Sequence, residues 1–148
     1  MKERIVVING PNLNLLGERD PDHYGSYRLQ DINRMMAETA DRLGVEIAFF
    51  QSNHEGDLID MLQDERDRAA GFIMNPGALT HYSYALRDAI EAVGPSVAEV
   101  HISDIGSREE WRRNSVIRDV VLFSISGEGP QGYVRALEKM VESIRPGA

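Results

Sequence analysis

The sequence contains no cysteine. Disulfide bridges, thiolate nucleophiles and cysteine metal ligands are therefore excluded. Lysine is almost absent, since it occurs only at Lys2 and Lys139, and neither position lies near a polar loop. A mechanism that forms an imine on a buried lysine is for that reason hard to place on this chain.

The chain also lacks any apolar run close to the roughly 20 residues that a membrane span requires. Its first residues, MKERIVVING, enter an apolar segment without the pattern of a signal peptide, so we expect a cytoplasmic protein that makes no membrane contact. A net charge of -8 argues against general nucleic-acid binding. The length of 148 residues suits one domain, and we expect residues 1–148 to form a single catalytic domain.

Five short apolar segments alternate with helical patterns along the chain. The predicted strands are Arg4–Ile8, Val45–Phe50, Gly71–Met74, Val97–His101 and Val120–Ile125. The predicted helices run from Leu29 to a stop at Gly44, from a cap at Ser52 or Asn53, from Ser83 to Val93, and from Tyr133 to Ile144. This alternation predicts an α/β fold with a five-stranded parallel sheet of flavodoxin-like order 2-1-3-4-5 and helices on both faces. Ligands of such sheets bind at the carboxyl ends of the strands.

A long polar loop, Asn9–Gly25, follows the first predicted strand and carries Tyr24 near Arg19. Loops of this length in compact chains are usually functional or disordered. A tyrosine acts as a general base near neutral pH only if its pKa falls by about two or three units, and a guanidinium nearby favours that change. Arg19 is the local candidate for this cation, with Arg108 and Arg112 on a neighbouring loop. A partly exposed aromatic residue without a catalytic role is the other interpretation.

Two histidines follow predicted strands and are candidates for the site. His101 stands two residues after Glu99, and such residues point to the same side of a strand. Glu99 could orient His101 as a proton donor, although a purely structural pair is an equally good interpretation. His81 follows the Asn75 turn and is a candidate binding group. The histidines stand on different loops without clustered carboxylates, which argues against a metal site.

Other functions common on this fold fit poorly. Acids after strands one and three, which a phospho-receiver needs, are replaced by Asn9 and Asn75. The loop after strand one lacks the serines and threonines of a flavodoxin phosphate site. Gly127, Gly129 and Gly132 match a dinucleotide fingerprint, but the chain ends before the acidic residue that this motif needs, so a tight turn before the last helix is favoured.

Five ordered motifs are similar to those of one enzyme family. They are NGPNLNLLGxRxPxxYG, QSNHEGxLID, NPGAxTHxSxALxDA, EVHxSxIxxREExR and GxGxQGY, and they extend from about Ile5 to Leu137. Together they resemble the type II 3-dehydroquinate dehydratases. The resemblance implies a flavodoxin-like enzyme that converts 3-dehydroquinate to 3-dehydroshikimate without cofactor or metal, assembled as a homododecamer of trimers.

The resemblance also implies catalytic roles. Tyr24, with its pKa lowered by Arg19, would remove the C2 proton of the substrate. Asn12 would stabilise the resulting enolate, through an ordered water. His101, held by Glu99, would protonate the departing C1 hydroxyl. The implied substrate-binding residues are Ile102 and Ser103 through their backbone N–H groups, Asn75, His81 and Arg112. The resemblance adds Asp88 of a neighbouring subunit, which would reach Arg19 in the loop after the first strand.

The chain departs from the family pattern beside the fourth motif. Asp104 replaces a common asparagine, Gly106-Ser107 replaces His-Ala, and Arg113-Asn114 replaces His-His. A negative charge at Asp104 would repel a carboxylate substrate. The alternative is therefore a non-catalytic or substrate-shifted paralogue that binds a quinate-like ligand. The sequence does not distinguish aromatic biosynthesis in the shikimate pathway from quinate catabolism, because the chemical step is the same.

Overall fold

A five-stranded parallel sheet forms the centre of the protein. The computed structural model describes residues 1–18, 20, 22 and 26–147. The strands are β1 (Arg4–Asn9), β2 (Glu46–Gln51), β3 (Gly71–Asn75), β4 (Ser96–His101) and β5 (Phe123–Ser126). Their order is β2-β1-β3-β4-β5, and every neighbouring pair is parallel. The predicted topology is confirmed.

Helices cover both faces of this sheet. They are α1 (Leu29–Leu43), α2 (Glu55–Glu65), α3 (Tyr84–Ala92) and α4 (Gln131–Ile144). Helices α1 and α4 pack on one face, and α2 and α3 pack on the other. Of the helices in the part of the chain that the structure describes, none is long and apolar enough to pass through a lipid bilayer.

The central strands are buried because both of their faces are apolar. In β1, Ile5 and Val7 face α1 and α4, while Val6 and Ile8 face α2 and α3. Strand β3 is buried along its whole length. Such continuous apolar runs are typical of parallel strands covered by helices, and they hold the carboxyl ends of β1, β3 and β4 in fixed register.

Helix ends follow the sequence signals with one exception. Gly44 ends α1 in the left-handed conformation, and the Ser83 side chain caps α3 by accepting from the Leu86 N–H at 3.0 Å. The predicted cap of α2 at Ser52 or Asn53 is wrong, because His54 occupies that position without a side-chain cap. Asn53 instead turns toward the loop after β1, as described below.

The start of the last strand was also predicted wrongly. The apolar residues Val120 and Val121 were assigned to β5, but Arg118–Val120 form a 3-10 turn and the strand begins at Phe123. The two valines pack against the core beneath α2 and α3 instead of continuing the sheet. The sequence pattern correctly indicates that the two valines pack against the core, but tertiary packing, and not β propensity, sets their backbone conformation.

Candidate active site

A polar pocket lies at the carboxyl ends of β1, β3 and β4. Four segments form it: the loop after β1, the turn after β3, the end of β4 with the loop that follows, and the arginine-rich segment beyond. The lining residues are Pro11, Asn12, Leu13, Asn75, Gly77, Ala78, His81, His101, Ile102, Ser103, Ile105, Arg108 and Arg112.

Asn12 enters this pocket in a constrained backbone conformation. It has φ 73° and ψ -4°, the left-handed region, which asparagine tolerates better than most residues. Its backbone N–H donates to Asn53 Oδ1 at 2.9 Å, and the Gln51 Nε2 donates to the same oxygen at 3.2 Å. Gly10, two residues earlier, packs so closely that a Cβ there would lie 2.6 Å from the Pro76 carbonyl oxygen. The first turn is thus tied both to the end of β2 and to the turn after β3.

Glu99 and His101 form a buried pair at the end of β4. The His101 Nε2 lies 2.7 Å from Glu99 Oε2, as their spacing on one side of the strand predicts. Thr80 Oγ1 and Ser115 Oγ also donate to this carboxylate. Burial raises the pKa of Glu99, but the hydrogen bonds from His101, Thr80 and Ser115 outweigh burial and hold that pKa below its usual range. Because an ionised carboxylate only accepts, Nε2 carries a hydrogen and Nδ1 is the nitrogen left for proton exchange.

His81 presents the opposite tautomer. Its Nδ1 lies 2.7 Å from the Asn114 carbonyl oxygen, which can only accept, so Nδ1 carries a hydrogen. Burial lowers the pKa of His81, and the nearby His101 and Arg112 lower it further, against the opposing hydrogen bond to Asn114. The ring is therefore neutral near pH 7, and Nε2 is a hydrogen-bond acceptor suited to a hydroxyl group.

Two arginines make the pocket cationic. Arg108 Nη1 donates to Ser103 Oγ at 3.3 Å, which ties the arginine to the loop after β4. Arg112 pairs with Glu109 and lies over the Trp111 ring, with its guanidinium carbon 4.0 Å from the ring centre. A pocket with two guanidinium groups suits an anionic ligand such as a carboxylate.

The glycine-rich turn after β5 supports the loop that carries Ile102 and Ser103. The N–H of Gly127 donates to the Ser103 carbonyl and that of Gly129 to the Ile102 carbonyl, both at 3.1 Å. Both glycines have positive φ. These amide groups are engaged within the protein, which agrees with the structural interpretation of the glycine motif.

Asn75 lies at the end of β3, above a buried tyrosine. Its Nδ2 donates to the Tyr133 hydroxyl at 2.9 Å, and its Oδ1 accepts from the Gly77 N–H at 3.1 Å. The Tyr133 hydroxyl in turn donates to Asn9 Oδ1 at 2.6 Å. This chain of hydrogen bonds fixes which side of the Asn75 amide faces the pocket.

Most of the predicted site residues meet at this pocket. Residues Asn12, Asn75, His81, His101, Ile102, Ser103 and Arg112 line it, and Glu99 lies directly behind His101. Asp88 is exposed on α3 and does not line the pocket, so within one chain it is not brought to the site. Arg19 and Tyr24 lie outside the described residues.

Asp104 stands between Ser103 and Ile105, two residues that line the pocket. It does not line the pocket, and its carboxylate accepts from the Gly106 N–H at 3.1 Å. The structure also adds four supporting residues to which the sequence analysis gave no role in the site: Asn53, Thr80, Ser115 and Tyr133. Each acts through a contact between segments that are distant in the chain, and no local periodicity marks such contacts. In the described part of the chain, no cluster of three or more histidines, aspartates or glutamates is arranged to hold a metal ion.

A parallel α/β sheet with arginines and a buried histidine–carboxylate pair at its strand ends is the arrangement expected of an enzyme that acts on small anionic molecules. Comparison with known proteins agrees: the family model for class II dehydroquinase matches residues 3–141. The chain belongs to this family.

Individual relatives match over nearly their whole length. The chain is 50% identical over 145 residues to the 3-dehydroquinate dehydratase of Halothermothrix orenii, covering 98% of each chain. It is 53% identical over 134 residues to that of Pelotomaculum thermopropionicum, covering 90% of this chain and 93% of the relative. The crystal structure of a type II dehydroquinase from Butyrivibrio crossotus superposes with a TM-score of 0.92 at 42% identity, covering 94% of this chain and 97% of that one.

Proposed function

We propose that this protein is a hydro-lyase that converts 3-dehydroquinate to 3-dehydroshikimate and that residues 1–148 act as one catalytic domain. The observation that carries the proposal is the buried Glu99–His101 pair in an arginine-lined pocket, on a chain that belongs to the class II dehydroquinase family. This pair supplies an acid where the reaction must expel a poor leaving group. The base is Tyr24, a role implied by the resemblance of residues Ile5 to Leu137 to the same family.

The reaction begins with removal of a proton from C2, which the neighbouring C3 ketone acidifies. Tyr24, whose pKa the resemblance implies is lowered by Arg19, accepts that proton, and the electron pair moves onto the ketone oxygen to give an enolate. Asn12 stabilises the enolate oxygen, through an ordered water. A donor held in place before the reaction stabilises such developing charge without reorganisation. The left-handed Asn12 backbone, held by Asn53, supports this role.

The enolate then collapses and expels the C1 hydroxyl as water. His101 donates the proton that this step needs, from Nδ1, because Nε2 faces Glu99. The C1–O bond breaks as the C1=C2 double bond forms, and the ketone is restored. The product is an enone that is also conjugated with the carboxylate at C1.

The remaining pocket residues bind the substrate. The backbone N–H groups of Ile102 and Ser103 hold its carboxylate, while Asn75, His81 and Arg112 bind its hydroxyls. The neutral His81, which offers an acceptor at Nε2, suits a hydroxyl donor better than a carboxylate. The cationic pocket supports recognition of an anion.

Self-association into a homododecamer built from trimers belongs to the same proposal. Tyr82, Tyr84 and Trp111 expose 62%, 66% and 52% of their surfaces. Exposed aromatic residues are enriched at protein interfaces. Asp88 stands one helical turn after Tyr84 on α3, and the resemblance implies that it reaches Arg19 of a neighbouring subunit. Sedimentation of the purified chain measures the assembly.

A non-catalytic or substrate-shifted binder is the alternative. It rests on the departures at Asp104, Gly106-Ser107 and Arg113-Asn114, which do not themselves line the pocket, although Asp104 lies between two residues that do. The chemical step is the same in aromatic biosynthesis and in quinate catabolism, so the step itself does not select one pathway. Residence in the cytoplasm stays a prediction. Growth of a strain lacking this gene with and without aromatic amino acids, or on quinate as sole carbon source, separates the two pathways.

The decisive experiment mixes the purified protein with 3-dehydroquinate and follows the ultraviolet absorbance of the conjugated product. We expect absorbance to rise in wild type and Tyr24→Phe to lower kcat by about 10²- to 10⁴-fold, which is the usual contribution of a general base. Binding of a quinate-like competitive ligand, measured by calorimetry, should persist in that variant. Tyr27→Phe is the matched control, because Tyr27 is a half-exposed tyrosine three residues away. Absence of product at high enzyme concentration would refute the dehydratase proposal.

A further inference from the structure

The carboxylate of Glu99 accepts hydrogen bonds from more partners than a simple histidine–carboxylate pair needs. Glu99 is fully buried, and its two oxygens face His101, Thr80 and Ser115. The Ser115 Oγ lies 3.0 Å from Oε1 and 2.9 Å from Oε2, and the Thr80 Oγ1 donates to Oε2. Three donors from three separate segments thus converge on one buried negative charge.

The two hydroxyls are held in place by backbone contacts between their loops. Thr80 is fully buried in the turn after β3, and its carbonyl accepts from the Val116 N–H at 2.8 Å. The Ser115 Oγ accepts from the Ile117 N–H at 3.3 Å and lies 3.2 Å from the Thr80 Oγ1. The backbone contact of Thr80 and the accepted hydrogen bond of Ser115 hold both residues where their hydroxyls donate to Glu99. The arrangement is a preformed shell of donors around the carboxylate.

The free energy that the hydrogen bonds from Thr80 and Ser115 to Glu99 contribute depends on whether His101 is protonated. When His101 is an imidazolium, the ion pair partly neutralises Glu99. Once His101 has given up its proton, the carboxylate is a bare buried anion and its hydrogen bonds matter most. Donors to Glu99 therefore stabilise the deprotonated pair more than the protonated pair. Without them, a buried carboxylate would hold the imidazolium proton tightly.

We propose that Thr80 and Ser115 are positioning residues that share the negative charge of Glu99, so that His101 releases its proton to the departing hydroxyl instead of being locked in an ion pair. This inference rests on the proposed function, because it assigns His101 the role of acid. Neither hydroxyl lines the pocket, so neither touches the substrate. Both hydroxyls affect the reaction by way of the Glu99 carboxylate, which in turn contacts His101.

Other charged groups around the pocket do not replace these hydroxyls. His81, Arg108 and Arg112 line the same pocket from the neighbouring segments, and Glu109 pairs with Arg112 at its edge. Arg108 and Arg112 carry positive charge, whereas the lowered pKa of His81 keeps that ring neutral near pH 7. Arg19 and Tyr24, outside the described residues, belong to the loop of the same site in the proposed reaction. Among the described groups, those that donate directly to the Glu99 carboxylate are His101, Thr80 and Ser115.

The test is the pH dependence of kcat with 3-dehydroquinate for Thr80→Val, Ser115→Ala and the double variant. We expect the basic limb, where His101 loses its proton, to move to higher pH by about half a unit to one unit per hydroxyl, since a hydrogen bond to a charged group has that effect. The plateau of kcat should fall, while KM stays within about twofold. Thr80→Ser keeps a hydroxyl and should keep the limb in its original place. A uniform fall in kcat with no movement of the limb would mean that the hydroxyls are merely structural and would overturn the proposal.

A second measurement does not need turnover. The ring nitrogens of His101 can be titrated by ¹⁵N NMR in the assembled protein without substrate, with the signals assigned by comparison with His101→Gln. We expect the midpoint to rise in Ser115→Ala, a variant at a half-buried position that should fold, and to stay in place in Thr80→Ser. An unchanged midpoint in Ser115→Ala overturns the inference. A shifted midpoint in a protein that does not dehydrate 3-dehydroquinate would refute the proposed function and leave the charge sharing intact.

Discussion

Tyr133 offers a quantitative test of the polar layer beneath the pocket. Its side chain is fully buried, and its hydroxyl joins Asn9 on β1 to Asn75 on β3 through hydrogen bonds of 2.6 and 2.9 Å. Burial raises the pKa of this tyrosine, so the hydroxyl remains protonated throughout the neutral range. Tyr133→Phe keeps the ring and its packing but leaves Asn9 Oδ1 and Asn75 Nδ2 without their partner.

We expect Tyr133→Phe to lower the free energy of unfolding by about 2–4 kcal/mol, because an unsatisfied buried polar group costs about 1–3 kcal/mol and two are created, of which the one on Asn75 lies at the pocket and counts near the low end, about 1 kcal/mol. For a chain of this size, that loss corresponds to a fall in Tm of about 5–15 °C. Urea unfolding followed by circular dichroism measures the change, with variants compared at equal protomer concentration because self-association shifts apparent stability. Tyr27→Phe removes a hydroxyl from a half-exposed tyrosine and should change stability by less than about 0.5 kcal/mol. Equal stability of Tyr133→Phe and wild type would refute the argument that this layer is held by the hydroxyl.

Two further predictions concern the loops at the strand ends. Asn53→Ala should lower kcat by about 5- to 30-fold, because losing the acceptor for the Asn12 N–H removes about 1–2 kcal/mol of support. Asn53→Asp keeps an acceptor and should keep most of the rate. Equal losses of kcat in steady-state assays of both variants would contradict this prediction. Gly127→Ala should destabilise the protein by about 1–2 kcal/mol in urea unfolding, because φ is 79° and the new Cβ would lie 3.1 Å from the Asp104 Cβ. Gly94→Ala, where a Cβ meets open space, is the matched control and should cost less than about 0.5 kcal/mol.

The parts of this fold that were predictable from sequence are those set by local pattern. Strands β1 and β3 are continuous apolar runs, and Gly44 ends its helix where the periodicity stops. The pairing of Glu99 with His101 follows from the two-residue repeat of a strand, so it too was accessible.

The supporting contacts were not predictable because they join segments far apart in the chain. Ser115 reaches Glu99 across 16 residues and Tyr133 reaches Asn9 across 124. The contact that Asn53 makes was not predictable from the sequence either. Its side chain suits either a helix cap or a loop contact, and only the packed structure decides that it serves Asn12.

Two buried polar networks beneath one small pocket need a physical reason, because burying polar groups is costly even when they are paired. An apolar replacement of Asn9, Tyr133 and Asn75 could fill the same space, but it would leave no amide fixed at the end of β3. An apolar replacement of Thr80 and Ser115 would leave Glu99 with His101 as its sole described donor. Each network ends in a residue that lines the pocket, Asn75 in one and His101 in the other. The polar layer therefore orients two groups that must meet a substrate at fixed angles, which is the requirement of an enzyme whose catalysis depends on groups held in place before the reaction.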